Sequence, residues 1–156
     1  MTIYKHTNTA SAGDVVRSED WNAAHTATAE TQYWSCPGTN FHGQTPDVDN
    51  VTVAADGSIT ANANGISFRA NVNLPHGATV TKVIVYGNAG AAAENYHLVR
   101  GNHAGWFSDM AAADINVEDT SITNAEIDNE DYIYLLRTSS LDNTDRIYGG
   151  RITYTI

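Results

Sequence analysis

The sequence predicts an all-β protein, an antiparallel β-sandwich of the jelly-roll-like kind. Three observations support this. Threonine, asparagine, alanine and glycine are abundant and only 17% of the residues are charged, a balance that favours strands and turns over long helices. From Tyr33 onward, turn-forming residues recur about every eight to twelve positions, as in sandwiches and barrels. Strand patterns do not alternate with helical ones, which argues against a parallel sheet.

The segment 1–30 differs from the rest and predicts an extended N-terminal arm, ahead of a β-sandwich domain at 31–156. The arm is polar, and no alternating pattern follows Tyr4. Ser18 can cap a short helix that carries Trp21 on one face, because a serine oxygen accepts a free N–H of the first helical turn. A helix this short is marginal alone, so Trp21 needs a partner surface to cover it.

Individual strands follow from alternation and turn chemistry. Asp56-Gly57 readily adopts the left-handed conformations of a tight hairpin between two short strands. From Ile66 to Val72, apolar and polar residues alternate, which predicts one buried and one solvated face. Residues 101–130 are the least regular, and the alanine run 111–113 predicts a single helical turn. The predicted strands span 51–54, 58–61, 66–72, 80–86, 96–100, 132–137 and 146–156.

The two C-terminal strands carry a further prediction each. Strand 132–137 is apolar on both faces, so we expect a central strand covered on both sides by the domain or by another subunit. The last strand places Ile152, Tyr154 and Ile156 on one face, which predicts that the C-terminus is paired within a sheet.

The charge of the chain excludes some partners. Eighteen acidic and eight basic residues give a formal charge of −10, which repels a phosphate backbone and an anionic membrane surface. We therefore expect neither nucleic acid nor membrane among the partners. No apolar run is long enough to span a membrane, and the first thirty or so residues lack the apolar core of a signal peptide. The expectation is a soluble protein made without a classical export signal.

The sequence carries no catalytic pattern, so we expect a protein that is not an enzyme. Cys36 is the only cysteine and has no histidine near it in sequence. No nucleophile elbow is present, and none of the six histidines pairs with another at ligand spacing. His97 alternates with Tyr96 and Leu98 and is predicted to face solvent. A small hydrolase stays open as an alternative, because the separation of two carboxylates depends on the fold.

Acidic loops are the only candidates for binding a metal, and no other cofactor is expected. Hard cations such as calcium take six or more oxygen ligands, which Asp- and Asn-rich loops can supply. None of these loops matches the calcium-loop pattern, so solvated loop charge is the competing explanation. The candidates are Asp47, Asp49, Asp128 and Asp131.

Three aromatic residues are candidates for a ligand site. Aromatic rings at the surface of a small β domain can stack on a sugar ring, and exposed aromatic stripes indicate a partner. Core packing is the alternative for each of them. The candidates are Trp34, Trp106 and Phe107.

The arm contains Gly13-Asp14-Val15-Val16 followed by Asp20-Trp21-Asn22, and this segment resembles one near the N-termini of bacteriophage tail, fibre and other virion proteins. The match covers about eleven residues. Residues 74–86 and 150–154 look like strands in β-sandwich domains of surface and secreted proteins. Together the resemblances imply a virion or surface-assembly subunit, and they transfer no catalytic residues.

Two functions are therefore expected. The first is a structural subunit of a phage-like particle (tail, fibre or capsid decoration), located in a virion or extracellular particle. It would form a homo-oligomer and contact other particle subunits through its arm and an apolar sheet face. The alternative is a carbohydrate- or ligand-binding module, with a cell-surface glycan as partner and calcium as a cofactor. The arm residues assigned to partner binding are Ile3, Tyr4, Val15, Val16, Trp21 and Asn22.

Overall fold

The computed structural model describes residues 29–45 and 50–156. Within these residues, the strands form two five-stranded antiparallel sheets, which confirms the predicted antiparallel β-sandwich. The first sheet has the order β1-β10-β4-β3, with β6 on the opposite side of β10. Its strands are β1 (Thr31–Pro37), β3 (Val51–Val53), β4 (Ile59–Ala61), β6 (Thr79–Gly87) and β10 (Arg146–Thr155).

The second sheet has the order β2-β5-β9-β7-β8. Short 3-10 helices at Gly38–Asn40 and Ala91–Ala93 lie in the connections. No helix in the described residues has the length and hydropathy needed to cross a membrane. The strands of this sheet are β2 (His42–Gly43), β5 (Phe68–Val72), β7 (Asn95–Asn102), β8 (Phe107–Asp114) and β9 (Tyr132–Thr138).

Strand β10 is the centre of the first sheet. It pairs with β6 along one side and with β1 along the other. Ile152 is fully buried and Tyr154 packs against the core, so the prediction of a paired C-terminal strand is confirmed. Ile156, predicted on the same apolar face, lies beyond the strand and is 52% exposed.

Alternation and turn chemistry account for the clearest local elements. Phe68, Ala70 and Val72 of β5 are buried, as predicted. Gly57 has a φ of 86° in the turn between β3 and β4. The Asp56 carboxylate accepts hydrogen bonds from the Ser58 N–H at 3.0 Å and hydroxyl at 2.6 Å, which closes this turn in the manner typical of aspartate.

The core lies between the two sheets. Burying one large apolar side chain contributes roughly 1.5–3 kcal/mol, and both sheets and their connections supply such residues. The largest fully buried side chains are Phe41, Ile59, Phe68, Tyr96, Leu98, Met110, Ile115, Ile127, Leu136, Leu141, Ile147 and Ile152.

Strand β9 is central in the second sheet, between β5 and β7, as predicted. Tyr134 and Leu136 face the core and are buried. The expected cover on its other face is not supplied by the described residues, because Ile133 there is 47% exposed. The outward side of this strand is therefore an apolar surface open to a ligand or partner.

The predicted helical turn at 111–113 is wrong, because these alanines lie in β8. Ala111 pairs with Leu98 and Ala112 with His97 in the ladder with β7. Alanine favours helices, but pairing with the neighbouring strand β7 overrides a preference spread over so few residues. A register shift between Leu98 and Val99 marks the bulge in this ladder.

The connection between β8 and β9 covers an edge of each sheet. The backbone of Asp119 exchanges two hydrogen bonds with Val83 of β6, at 2.9 and 3.0 Å. Its carboxylate accepts the Ala112 N–H of β8 at 2.9 Å. Strand edges protected in this way are poor templates for pairing with other chains.

The predicted arm lies almost wholly outside the described residues. This applies to its short helix and to all six residues assigned to partner binding, Ile3, Tyr4, Val15, Val16, Trp21 and Asn22. Glu30, at its end, exchanges backbone hydrogen bonds of 3.4 Å with Ile156. These contacts extend the ladder between β1 and β10 by one residue pair.

Candidate functional site

The side of the second sheet that faces away from the core, here called the outer face, gathers exposed aromatic, amide and charged side chains. Directly paired residues on neighbouring strands project to the same side. Register therefore places the outer-face residues in three rows across the sheet. These rows are His42, Arg69, Arg137, His97 and Ala112; Asn71, Leu135, Val99 and Asp109; and Ile133, Gly101 and Phe107.

Phe107 provides the aromatic surface of the outer face. Its ring lies directly against Gly101, since a Cβ at Gly101 would overlap the ring and lie 2.8 Å from Cζ. Phe107 is still 47% exposed. Val99 faces outward but is buried, because the side chains around it, among them Phe107 and Leu135, cover it. Phe107, Val99 and Leu135 together form an apolar platform, and the exposed part of the Phe107 ring faces solvent.

The hairpin between β7 and β8 presents Trp106 beside Phe107. The side-chain oxygen of Asn102 accepts the N–H groups of Ala104 at 3.1 Å and Trp106 at 3.0 Å. The Asn102 N–H donates to the Trp106 carbonyl at 2.9 Å. Gly105 has a φ of 86°, a conformation that glycine adopts without strain. The tip is therefore well held although Trp106 itself is 77% exposed.

A depression of about 400 Å³ adjoins the platform where β5 ends and β9 begins. Its lining includes the apolar Ile133 and Leu135 and three amide side chains, those of Asn71, Asn73 and Asn129. Asn129 donates to the Leu74 carbonyl at 2.9 Å. The Asn71 and Asn73 amides make no hydrogen bond to the described residues, so both are available to a bound molecule.

Asp109 is the carboxylate of the outer face and contacts two basic residues. One oxygen lies 3.0 Å from an Arg137 nitrogen, and the other lies 3.2 Å from His97 Nδ1. All three side chains are at least partly solvent-exposed, so each pair contributes at most about 1 kcal/mol to stability. Their arrangement therefore orients groups at the surface more than it stabilises the fold. His97 faces outward, as predicted.

The predicted aromatic set is only partly brought together. Trp106 and Phe107 are adjacent on the second sheet, whereas Trp34 lies on β1 of the first sheet. Trp34 is half-buried and packs against the core, so core packing, the alternative considered for it, describes its environment. The outer-face residues that the sequence did not single out are Arg69, Arg137, Asn71 and Leu135. The signal for Arg69 and Asn71 was the solvated face of strand 66–72, but which strand lies beside it depends on the fold.

The calcium candidates are divided between described and undescribed residues. Asp47 and Asp49 lie outside the described residues. The Asp128 carboxylate accepts the N–H groups of Glu130 at 3.0 Å and Asp131 at 3.3 Å, which gives it a role in closing a turn. In the described part of the chain, no three His, Cys, Asp or Glu side chains converge as metal ligands. A calcium site stays a prediction.

The absence of catalysis also stays a prediction. His97 and Asp109 have the separation of a catalytic pair, but the third group of this cluster is Arg137 and not a nucleophile. Ser108 pairs with Arg100 and therefore projects from the side of β8 opposite to Asp109. Cys36 is buried, and burial raises the pKa of its thiol, which disfavours the reactive thiolate.

The fold and the outer face together define a β-sandwich with an open, mixed aromatic and polar surface. No protein-family model and no curated protein matches the chain.

Solved structures that match the chain at low similarity include the following two. One is the C-terminal CBM6 of LamC, a marine laminarinase from Zobellia galactanivorans. It is 14% identical with a TM-score of 0.45, and the match covers 78% of this chain and 99% of that chain. The other is a family two carbohydrate esterase from Cellvibrio japonicus. It is 9% identical with a TM-score of 0.37, and the match covers 82% of this chain and 34% of that chain. Similarities this low carry no argument about function.

Proposed function

We propose that this protein is a carbohydrate-binding β-sandwich module whose ligand lies on the outer face. The observation that carries the proposal is the half-exposed Phe107 ring, seated on Gly101 beside amides that have no partner. A sugar ring has apolar C–H groups on its faces and hydroxyl groups around its rim. It is therefore held best by a flat apolar surface with hydrogen-bonding side chains next to it.

The apolar part of this surface is prepared before any ligand arrives. Phe107 cannot sink further toward the sheet, because Gly101 already lies under it. Leu135 and Val99 extend the platform toward β9. An aromatic ring has few rotatable bonds, so stacking a sugar on it costs little conformational entropy.

The polar part lies along the adjacent depression. The free amides of Asn71 and Asn73 can each donate and accept, which matches a hydroxyl group that does both. Exposed apolar residues with a polar rim are the usual composition of a ligand site. The outer face therefore supports a hydroxyl-rich ligand better than a purely apolar one.

A glycan array probed with the full-length protein tests the proposal. We expect wild type to bind a defined subset of glycans and Phe107→Ala to bind them at least about fivefold more weakly, since a stacked aromatic ring contributes about 1 kcal/mol or more. Tyr148→Ala is the matched control, because Tyr148 is also 47% exposed but lies on the first sheet. Equal loss in both variants, or no glycan bound by wild type, would contradict the proposal.

Assembly as a particle subunit is a second candidate function, and Ile133 favours it. This residue is exposed at the centre of the sheet, where the sequence predicts a cover by another subunit. The tail, fibre or capsid role stays a prediction, because its assigned residues lie outside the described part of the chain. Sedimentation equilibrium of the full-length protein tests it: a homo-oligomer is expected, and a monomer at micromolar concentration would contradict it.

A further inference from the structure

We propose that the carbohydrate is acidic, and that Arg69 and Arg137 bind its carboxylate or sulfate groups. This inference rests on the proposed function and narrows its ligand class. It starts from the first row of the outer face, where four neighbouring strands each contribute a basic type of side chain. His42, Arg69, Arg137 and His97 are directly paired from β2 through β5 and β9 to β7.

A row of basic side chains destabilises the sheet when no anion lies beside it. Arg69 and Arg137 lie directly opposite each other, and like charges at such positions destabilise a sheet. Asp109 offsets the charge of Arg137 and also contacts His97. Among the described residues, no carboxylate lies within ion-pair distance of Arg69.

Arg69 differs from the other lysines and arginines of the described segments, because it has no acidic or aromatic partner. The chain has eighteen acidic residues, and the other lysine and arginine side chains of the described segments have partners. These are Glu118 for Lys82 and Arg151, Asp56 for Arg146, and the ring of Tyr132 for Arg100, 4.5 Å from its guanidinium carbon. An unpaired arginine beside another arginine, in so acidic a chain, indicates a site kept for an external anion.

The two guanidinium groups belong to the same site as the aromatic platform. Arg69 and Arg137 line one small hollow together with Phe107, Val99 and Leu135. A sugar ring on Phe107 would therefore place its substituents beside both arginines. The planar guanidinium fork matches the oxygen pairs of carboxylate and sulfate groups. Ring stacking and charge recognition are then satisfied by one ligand.

A nucleic acid is the competing polyanion. The −10 charge of the chain repels any polyanion at a distance, an acidic polysaccharide as well as a nucleic acid. Binding through this face must therefore come from local contacts, and the free Asn71 and Asn73 amides suit the hydroxyl groups of a sugar. An acidic polysaccharide uses the platform, the amides and the arginines together, so we assign the face to that ligand.

The test uses pairs of polymers that share a backbone but differ in charge. Polygalacturonate is compared with its methyl-esterified form, and dextran sulfate with dextran, by affinity electrophoresis of the full-length protein. We expect the charged member of one pair to bind at least about tenfold tighter, the gain of one charge-assisted hydrogen bond. The pair that shows the preference distinguishes carboxylate from sulfate.

Three variants connect that preference to the row. Arg69→Gln is expected to remove most of the preference for the charged polymer, and Arg69→Lys to retain part of it. Asp109→Asn is expected to tighten binding, because it removes the negative charge from the face and releases Arg137. Arg151→Gln is the control, since Arg151 lies on β10 of the first sheet and pairs with Glu118 of the connection between β8 and β9. Unchanged thermal melting confirms that each variant is folded.

The outcomes separate the two proposals. Equal binding of charged and neutral polymers would overturn the acidic ligand and leave the carbohydrate-binding function standing. An Arg69→Gln variant that keeps the full preference would also overturn it. Equally tight binding of single-stranded DNA would also overturn it, because the face would then be a general polyanion site. If no polysaccharide binds and the glycan array is also negative, the carbohydrate-binding function fails and this inference with it.

Discussion

The hydroxyl oxygen of Tyr96, on β7 of the second sheet, lies 2.6 Å from the carbonyl oxygen of Val83, on β6 of the first sheet. The same oxygen lies 2.9 Å from the Val117 carbonyl oxygen and accepts the Asp119 N–H at 3.2 Å. Tyr96 is fully buried. The Tyr96 side chain therefore links both sheets to the segment between β8 and β9, which covers an edge of each sheet.

Replacing Tyr96 with phenylalanine is expected to lower the free energy of unfolding by about 1–2 kcal/mol, because it removes a buried hydrogen bond and leaves the Val117 carbonyl without it. Urea denaturation measures this loss. Tyr148→Phe, at an exposed position of the first sheet, is the control and should change stability by less than about 0.5 kcal/mol. Equal losses in the two variants would contradict a bridging role.

The same tyrosine predicts how stability changes at high pH. Burial, the largest cause, raises the pKa of Tyr96 from 10.0 to about 12. A group whose pKa is higher in the folded state contributes stability that is complete below its unfolded pKa and is lost as pH rises through the folded value. The stability advantage of wild type over Tyr96→Phe should therefore shrink between pH 10 and about 12. Denaturation midpoints of both proteins across this range measure it, and a constant difference would contradict the prediction.

Gly38 is expected to be intolerant of any side chain. A Cβ there would overlap the Ile147 carbonyl oxygen and lie 2.9 Å from Ser58 Cα and 3.0 Å from the Gly57 carbonyl oxygen. All three are backbone atoms, so none can turn aside. We expect Gly38→Ala to cost about 3 kcal/mol or more, at the upper end for overpacking.

Gly105→Ala is the matched control for this substitution. Its φ is 86°, but a Cβ there would contact nothing within 4 Å. Its cost should be limited to the backbone strain of about 1–2 kcal/mol. Thermal melting of both variants compares them, and a Gly38→Ala protein as stable as Gly105→Ala would disprove the close approach.

Much of the fold could be predicted from the sequence, because a local residue pattern is enough to identify several strands. In β5, every second side chain is buried, and the Asp56-Gly57 turn needs only its own residues to form. Strand β8 could not be predicted in this way. Its alanine run has no alternation, and it is extended because β7 lies beside it, which is a property of the whole fold.

The site could be predicted only in part, for the same reason. Phe107 and Trp106 stood out as aromatics in an irregular segment, and they do lie together on the outer face. The position of Arg69 opposite Arg137 depends on β5 and β9 becoming neighbours, and no local pattern shows that. Trp34 illustrates the converse, since an aromatic residue near a turn gives no sign of whether it faces the core.

Gly101 should be required for ligand binding and much less for folding. A Cβ there would meet the outer atoms of the Phe107 ring, which can rotate away because the ring is half exposed. We expect Gly101→Ala to lower the melting temperature only slightly, with a stability cost below about 1 kcal/mol. Because the displaced ring would no longer lie on the platform, glycan affinity should fall as far as in Phe107→Ala.

Affinity electrophoresis and thermal melting measure the two effects separately. Wild-type affinity in Gly101→Ala would show that binding does not depend on the contact between Gly101 and the Phe107 ring. A large loss of stability would show that Gly101 is needed for folding instead.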